Sequence, residues 1–326
     1  MSEKQSDKLI DELKNIVING GEISYNDGCR LINIDDKEAL YQASEEITST
    51  MCKPVFDSCS IVNIRSGKCG ENCKWCAQSL HYDTGCEKYE LFSPERCKEI
   101  ARHNHNQGIK RFSLVASGRA MKGDALKNVC RILREVKEEV GIYTCASLGL
   151  LNREELQQLW DSGVRRYHCN LEAAPSFFSK LCTTHTVDDK LHTINMAREI
   201  GFEICSGGII GMGESPEQRV ELAYTLKKAS PHSIPINILC PIPGTPLENA
   251  EPLTDDDILR AIAVFRFIHP RIELRFAGGR AKLSRDAQLR ALRIGMNSGV
   301  VGDLLTTVGS NVSDDRKLVS EAGYEF

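Results

Sequence analysis

From Cys59 onward, short runs of β-branched and apolar residues alternate with longer stretches of helical periodicity. That alternation restricts the chain to an α/β architecture with a parallel sheet. Strands are predicted at 60–64, 111–117, 143–148, 165–172, 202–210, 234–239, 272–277 and 299–305. Helices are predicted between them at 94–106, 125–140, 153–162, 187–200, 217–229, 255–268 and 285–294. Asn152 with Glu155 three positions on, and Thr254 before three aspartates, read as helix starts. Eight such units predict closure into a (β/α)8 TIM-type barrel, a fold of about 250 residues. Ahead of it, Leu9, Ile10, Leu13, Ile16 and Val17 recur at helical spacing, and a second such pattern spans 34–47. The expected organisation is an N-terminal helical cap over 1–55 acting as a lid on a barrel end, a barrel over 56–311, and a C-terminal tail with a short helix over 312–326.

Immediately after the first strand lies Lys68-Cys69-Gly70-Glu71-Asn72-Cys73-Lys74-Trp75-Cys76, a Cys-x3-Cys-x2-Cys run. Three thiolates in one loop can converge on a single inorganic centre, and no fourth Cys or His stands beside them. Structural zinc takes four protein ligands in paired spacings. A four-iron cluster on three thiolates keeps one iron open, which a chemically active cluster needs. In a (β/α)8 barrel the site lies where strands hand over to the following loops, which is where this run falls.

The net charge of −4 provides no footprint for a nucleic-acid backbone. No stretch is long and apolar enough to span a bilayer, and the polar start Met1-Ser2-Glu3-Lys4 lacks the apolar core of a secretion signal. Fourteen cysteines in such a chain imply a reducing cytoplasm, with thiols kept for metals rather than disulfides.

The triplet, with an aromatic residue before its third Cys, resembles the signature of the radical S-adenosylmethionine (SAM) superfamily. Further stretches follow in order: Tyr167-His168-Cys169-Asn170-Leu171-Glu172, Cys205-Ser206-Gly207-Gly208, Pro235-Ile236-Asn237, Arg275-Phe276-Ala277-Gly278-Gly279 and Leu304-Leu305-Thr306-Thr307. Together they resemble the biotin synthase family across about residues 55 to 310. The resemblance implies SAM-dependent radical insertion of sulfur from an auxiliary iron–sulfur cluster into dethiobiotin. Cys69, Cys73 and Cys76 would hold a [4Fe-4S] cluster, with Trp75, Asn170, Glu172 and Lys190 near SAM. His168, Asn170, Asn237, Thr306 and Thr307 match positions near substrate, although His168 reads equally as a core histidine. Glu172 stands where the family has Asp, and Lys190 where it has Arg, so the charge is kept while the bidentate fork is lost. A flavodoxin-type electron donor and a homodimer are further implications.

For the auxiliary cluster the family uses three cysteines and an arginine. Cys145, Cys205 and Arg275 match three of these, but the fourth match is Ser113, and a hydroxyl is a poor substitute for thiolate on iron. Cys59 is the expected replacement, since neighbouring strands lie about 4.8 Å apart. Cys169 competes, but period-2 alternation turns it outward if Asn170 and Glu172 face in. A two-iron and a larger auxiliary cluster both stay open. Cys29, Cys52, Cys86, Cys97, Cys130, Cys182 and Cys240 match no ligand position and read as buried small hydrophobes. The rival readings are a biotin-synthase-like radical SAM enzyme for another small molecule, and a non-catalytic zinc-binding scaffold.

Overall fold

The structure, a computed structural model, describes residues 3–302 and 311–326. Nine parallel strand segments lie in one sheet: β1 Asp57–Arg65, β2 Arg111–Ala116, β3 Tyr143–Ser147, β4 Arg166–His168, β5 Glu203–Cys205, β6 Gly208–Ile210, β7 Ser233–Ile238, β8 Glu273–Phe276 and β9 Met296–Val300. Their order is β5-β4-β3-β2-β1-β9-β8-β7-β6, and Cys205 on β5 also pairs with Ser233 on β7. The sheet therefore closes on itself, with β5 and β6 as two halves of one barrel strand. Seven strands plus this broken one make an eight-stranded (β/α)8 barrel, as the alternation predicts.

The break falls at Ser206-Gly207 and has a steric cause. A Cβ on Gly207 would stand 1.9 Å from the Pro235 carbonyl oxygen, and one on Gly208 would stand 2.6 Å from the Glu172 carbonyl oxygen. Here the backbone runs against two neighbours at once, which only glycine allows. Several strand boundaries differ from the sequence expectation, the first strand beginning at Asp57 instead of 60. The fourth strand ends at His168, because Asn170 and Glu172 bond to Gly207 instead of continuing the ladder. The last strand begins at Met296, earlier than 299; residues 303–305, with Thr306 and Thr307, lie outside the described residues.

Both helix starts read from sequence are reciprocal capping boxes, Asn152 with Glu155 and Thr254 with Asp257. The outward strand residues Leu114, Ala146, Tyr167, Ile204, Ile234 and Leu274 are fully buried under the helical ring. Burying a large apolar side chain contributes about 1.5–3 kcal/mol.

The N-terminal helices Tyr25–Ile32 and Lys37–Met51 pack on the outer ring, against helices Pro216–Ala229, Asp255–Ile268 and Arg285–Ile294, and Glu3–Ile18 packs on Lys37–Met51. Ser44 Oγ donates to the Ile294 carbonyl at 2.6 Å and Tyr224 Oη to the Ile23 carbonyl at 2.7 Å. They thicken the barrel wall instead of covering an end as the lid expectation had it. The C-terminal helix Val312–Glu321 leads to Glu325, whose carbonyl accepts from Phe56 N–H at 2.7 Å just before β1.

Charge closes the barrel floor. Asp57, Arg111, Arg166, Glu203 and Glu273 are the first residues of five strands. Asp57 accepts from Arg275 at 2.6 Å, Arg111 at 2.9 Å and Arg166 at 3.3 Å, while Arg166 also reaches Glu203 at 2.8 Å and Glu273 at 3.0 Å. Burial would raise the Asp57 carboxyl, but the Arg275, Arg111 and Arg166 guanidiniums hold it well below the usual carboxylate range.

Candidate active site

The opposite end of the barrel is a mouth built by the loops after β1 to β4. The β1 loop turns through Gly67 (φ 73°) and Lys68 (φ 53°), and Ser117 Oγ fixes it by donating to the Gly67 carbonyl at 2.7 Å. Leu80 N–H donates to the Cys69 carbonyl at 2.8 Å, and Lys74 N–H donates to the Leu181 carbonyl at 3.0 Å. The loop is thus held to itself and to the segment after β4. Cys69, Cys73, Trp75 and Cys76 line one cavity of about 200 Å³ with His168, Asn170, Glu172 and Lys190. Burial pushes the Cys76 thiol up to about 11 and raises Cys73 as well. Such thiols give up their protons readily to a metal and reluctantly to water.

The residues predicted around the triplet meet in this cavity. Trp75 packs edge-on to Phe178 at 6.3 Å between ring centroids. Asn170 Oδ1 accepts from Gly207 N–H at 3.2 Å. Glu172 is in the left-handed region at φ 72°, uncommon outside glycine, and its Oε2 is buried without a hydrogen-bond partner. Burial raises its carboxyl, against the pull of the Lys190 ammonium. Lys190 is itself buried, with its Nζ 6.0 Å from the centre of the Phe178 ring. A buried carboxylate, a buried ammonium and an amide around one cavity suit a zwitterionic, hydrogen-bonding ligand. Asn237 differs: its Nδ2 donates to the Gly208 carbonyl at 3.1 Å and its Oδ1 accepts from Gly278 N–H at 2.9 Å. It ties β7 to its neighbours, with one hydrogen and one lone pair left over.

Below the mouth lies a second set of donors. Cys59, Cys145, Cys205 and Arg275 are each the third residue of their strand segment, on β1, β3, β5 and β8. Counting β5 and β6 as one, these are barrel strands one, three, five and seven. In a (β/α)8 barrel alternate strands contribute the four side chains of one interior layer, so the shear of the sheet gathers these four. All are buried to 1% exposure or less. Cys145 stands within hydrogen-bond reach of Cys59, which lowers the Cys59 thiol with help from the Arg275 charge, and burial raises Cys145. Burial also raises Cys205, against the pull of Arg275. Arg275 spends Nε on Ser233 Oγ at 3.0 Å and Nη2 on Asp57, while its Nη1 is buried without a hydrogen-bond partner. His168 Nε2 and Ser113 Oγ are orphaned in the same way. Three thiols and three unpaired polar atoms in a closed interior fit an inorganic group that accepts hydrogen bonds and takes soft sulfur ligands.

Ser113 sits on barrel strand two, level with Cys145 and outside the four-residue layer. Cys169 follows β4, is buried, and packs in the apolar core, unlike Cys59, Cys145 and Cys205, and against the outward expectation it also lines the mouth cavity beside Asn170 and Glu172.

Sequence reasoning missed one cluster. Cys182, read as a buried hydrophobe, has its Sγ 3.6 Å from Cys73 Sγ and 3.4 Å from His185 Nδ1. His185 Nδ1 lies 2.5 Å from Glu71 Oε2, and Glu71 also accepts from Thr184 at 2.7 Å. The Cys-x2-His spacing of 182–185 is a metal-type signal that could have flagged it.

The radical SAM superfamily model matches residues 63–226, and the model for the biotin and thiamin synthesis associated domain matches 235–325. A biotin synthase of Porphyromonas gingivalis is 51% identical over 97% of this chain and 96% of its own length. One of Parabacteroides distasonis is 50% identical over 97% of each. This chain belongs to the biotin synthase family. Among solved structures, methylornithine synthase superposes with a TM-score of 0.82 at 19% identity over 96% of both chains. A maturase of the [FeFe]-hydrogenase gives 0.84 at 14% identity, over 99% of this chain and 75% of that one. At that identity these two speak for the fold. The match to the radical SAM superfamily implies a [4Fe-4S] cluster and SAM for this chain. No helix among the described residues is long and apolar enough to cross a membrane.

Proposed function

We propose that this chain forms biotin from dethiobiotin by SAM-dependent radical sulfur insertion. The observation that carries the reading is the stacking of two thiol sets in one barrel, the Cys69/Cys73/Cys76 loop at the mouth and the Cys59/Cys145/Cys205/Arg275 layer beneath it. When bound, a four-iron cluster at the mouth supplies the electron that cleaves SAM, and an auxiliary cluster below supplies the inserted sulfur.

The chain's own residues do the rest. Cys69, Cys73 and Cys76 would hold the mouth cluster. Glu172, Asn170 and Lys190 orient the charged and hydroxyl groups of SAM, and Trp75 closes the side of the cavity. Cys59, Cys145 and Cys205 would hold the auxiliary cluster, and the unpartnered Nη1 of Arg275 supports that residue as its fourth ligand or hydrogen-bond donor. The Asp57 network blocks water from the floor, so a substrate held between the two sets reacts in a dry interior. His168, Asn237, Thr306 and Thr307 are the substrate-side residues of this reading; the last two lie outside the described residues. A division into wall helices (1–55), barrel (56–311) and tail (312–326) belongs to the same proposal. So do a cytoplasmic location, which suits fourteen free cysteines, a flavodoxin-type donor and a homodimer.

The test is anaerobic reconstitution with iron and sulfide, followed by Mössbauer counting of iron environments. Cys59→Ala should lose the auxiliary iron and keep the mouth cluster, while Cys169→Ala should keep both. The reverse pattern would overturn the ligand assignment. Zinc in place of iron after anaerobic isolation would overturn the enzymatic reading itself.

A further inference from the structure

The loop that carries the thiol triplet and the segment after β4 run side by side in opposite directions. Lys74 N–H donates to the Leu181 carbonyl at 3.0 Å, and Thr183 N–H donates to Asn72 Oδ1 at 3.0 Å. Residue 74 is thus joined to 181 and residue 72 to 183, which sets Cys73 directly across from Cys182. Their sulfurs stand 3.6 Å apart, and both residues are buried. Neither thiol set described above uses Cys182. We propose that Cys73 and Cys182 are a reversible oxidation site: in the chain without its mouth cluster, hydrogen peroxide joins them as a disulfide.

The backbone places the pair well for such a bond. In an antiparallel pair, residues that face each other between two backbone hydrogen bonds have Cα atoms about 4.5 Å apart. Cys73 and Cys182 take that position, with Asn72 Oδ1 standing in for one backbone carbonyl. A disulfide spans about 4.4–6.8 Å between Cα atoms. Closing from 3.6 Å to a bond of about 2.0 Å asks each sulfur to move about 0.8 Å. Two further bonds keep the segments together, Asn72 Nδ2 to Thr183 Oγ1 at 2.7 Å and Thr184 Oγ1 to Glu71 Oε2 at 2.7 Å. The triplet's own thiols are placed otherwise, since Cys69, Cys73 and Cys76 do not all lie within 4.8 Å of one another. Cys73 also lines the mouth cavity, through which peroxide would arrive.

One thiol, as its thiolate, displaces hydroxide from peroxide and becomes a sulfenic acid, and the hydroxide takes up the thiol proton as water. The sulfur of the second thiol then displaces the sulfenic oxygen, which leaves as water with the second proton. The two sulfurs lose two electrons and one peroxide becomes two waters. A dithiol reverses the bond by exchange. The disulfide withdraws one of the triplet's three thiolates, so an oxidised chain cannot complete its mouth cluster until it is reduced. That consequence rests on the proposed role of Cys73 in the mouth cluster, whereas the bond itself does not.

The test takes the full chain, freed of iron by chelation and fully reduced, and adds one equivalent of hydrogen peroxide without air. Two thiols per chain should disappear, and an unreduced tryptic digest should show peptide 69–74 linked to peptide 181–190. Cys69→Ala should keep the link, while Cys73→Ala and Cys182→Ala should each lose it. Dithiothreitol should restore both thiols. Chain entropy favours the triplet's own pairs over a span of 109 residues by about a hundredfold, so in concentrated urea the link should give way to bonds within 69–76. In the folded chain the Cys73–Cys182 bond should be the main product, which the wild-type digest reads without any variant. Bonds within the triplet, or between Cys59 and Cys145, as the main product of the folded chain would overturn the proposal. Iron counting on the untreated chain judges the proposed function by itself, so either reading can fail alone.

Discussion

Replacing Arg275 with Met separates what the arginine does for the fold from what it does beside the thiols. Its Nη2 donates to Asp57 at 2.6 Å, and the arginine side chain is 1% exposed against 13% for Asp57. Removing one partner of an isolated buried ion pair costs about 3–5 kcal/mol. Asp57 keeps Arg111 at 2.9 Å and Arg166 at 3.3 Å, so its charge is never abandoned. The loss in Arg275→Met should therefore fall to about 2–3 kcal/mol. Asp57→Asn alone should also destabilise, by freeing three guanidiniums to repel one another. In the double variant the two losses should overlap, leaving a coupling energy of about 1–2 kcal/mol, within the range for contacting charged residues. The assay is anaerobic urea denaturation of the cluster-free chain, followed by circular dichroism, for wild type, both single variants and the double. A coupling below about 0.5 kcal/mol would refute the view that the floor is one electrostatic unit. Auxiliary iron lost by Arg275→Met but kept by Asp57→Asn would assign the remaining effect to Nη1 and the thiol layer.

Two other predictions concern stability alone. Gly207→Ala would drive a Cβ into the Pro235 carbonyl, which is backbone and cannot swing away. A loss of about 3 kcal/mol or more is expected from such overpacking, and a urea midpoint equal to wild type would contradict it. His269 is buried with its ring nitrogen 2.8 Å from the Ala223 carbonyl, and burial lowers its pKa from 6.5 to about 4. The unfolded chain therefore binds this proton first, and stability is complete above pH 6.5 and declines as the pH falls toward about 4. A shift of that size corresponds to about 3 kcal/mol. His269→Gln should flatten this part of the pH profile, and an unchanged slope would refute it.

Much of this protein is local enough to read along the chain. The alternation of strands and helices, the capping boxes at Asn152 and Thr254, and the thiol triplet all lie within a few residues of their own partners. So does the steric demand that Gly207-Gly208 signals, though not what the glycines approach. The auxiliary layer is another matter. Cys59, Cys145, Cys205 and Arg275 are brought to one level by the stagger of strands around a closed barrel. Sequence supplies the candidates, but which alternate strands share a layer depends on shear, a property of the whole ring. The same holds for Cys182, His185 and Glu71, whose 111-residue separation from Cys182 back to Glu71 vanishes when the loop after β4 docks on the loop after β1. Of the wall helices, Glu3–Ile18 and Lys37–Met51 are legible from periodicity and Tyr25–Ile32 is not, and amphipathic spacing records only that a face is buried, not which surface buries it. Local chemistry chose the residues; closure of the sheet chose their company.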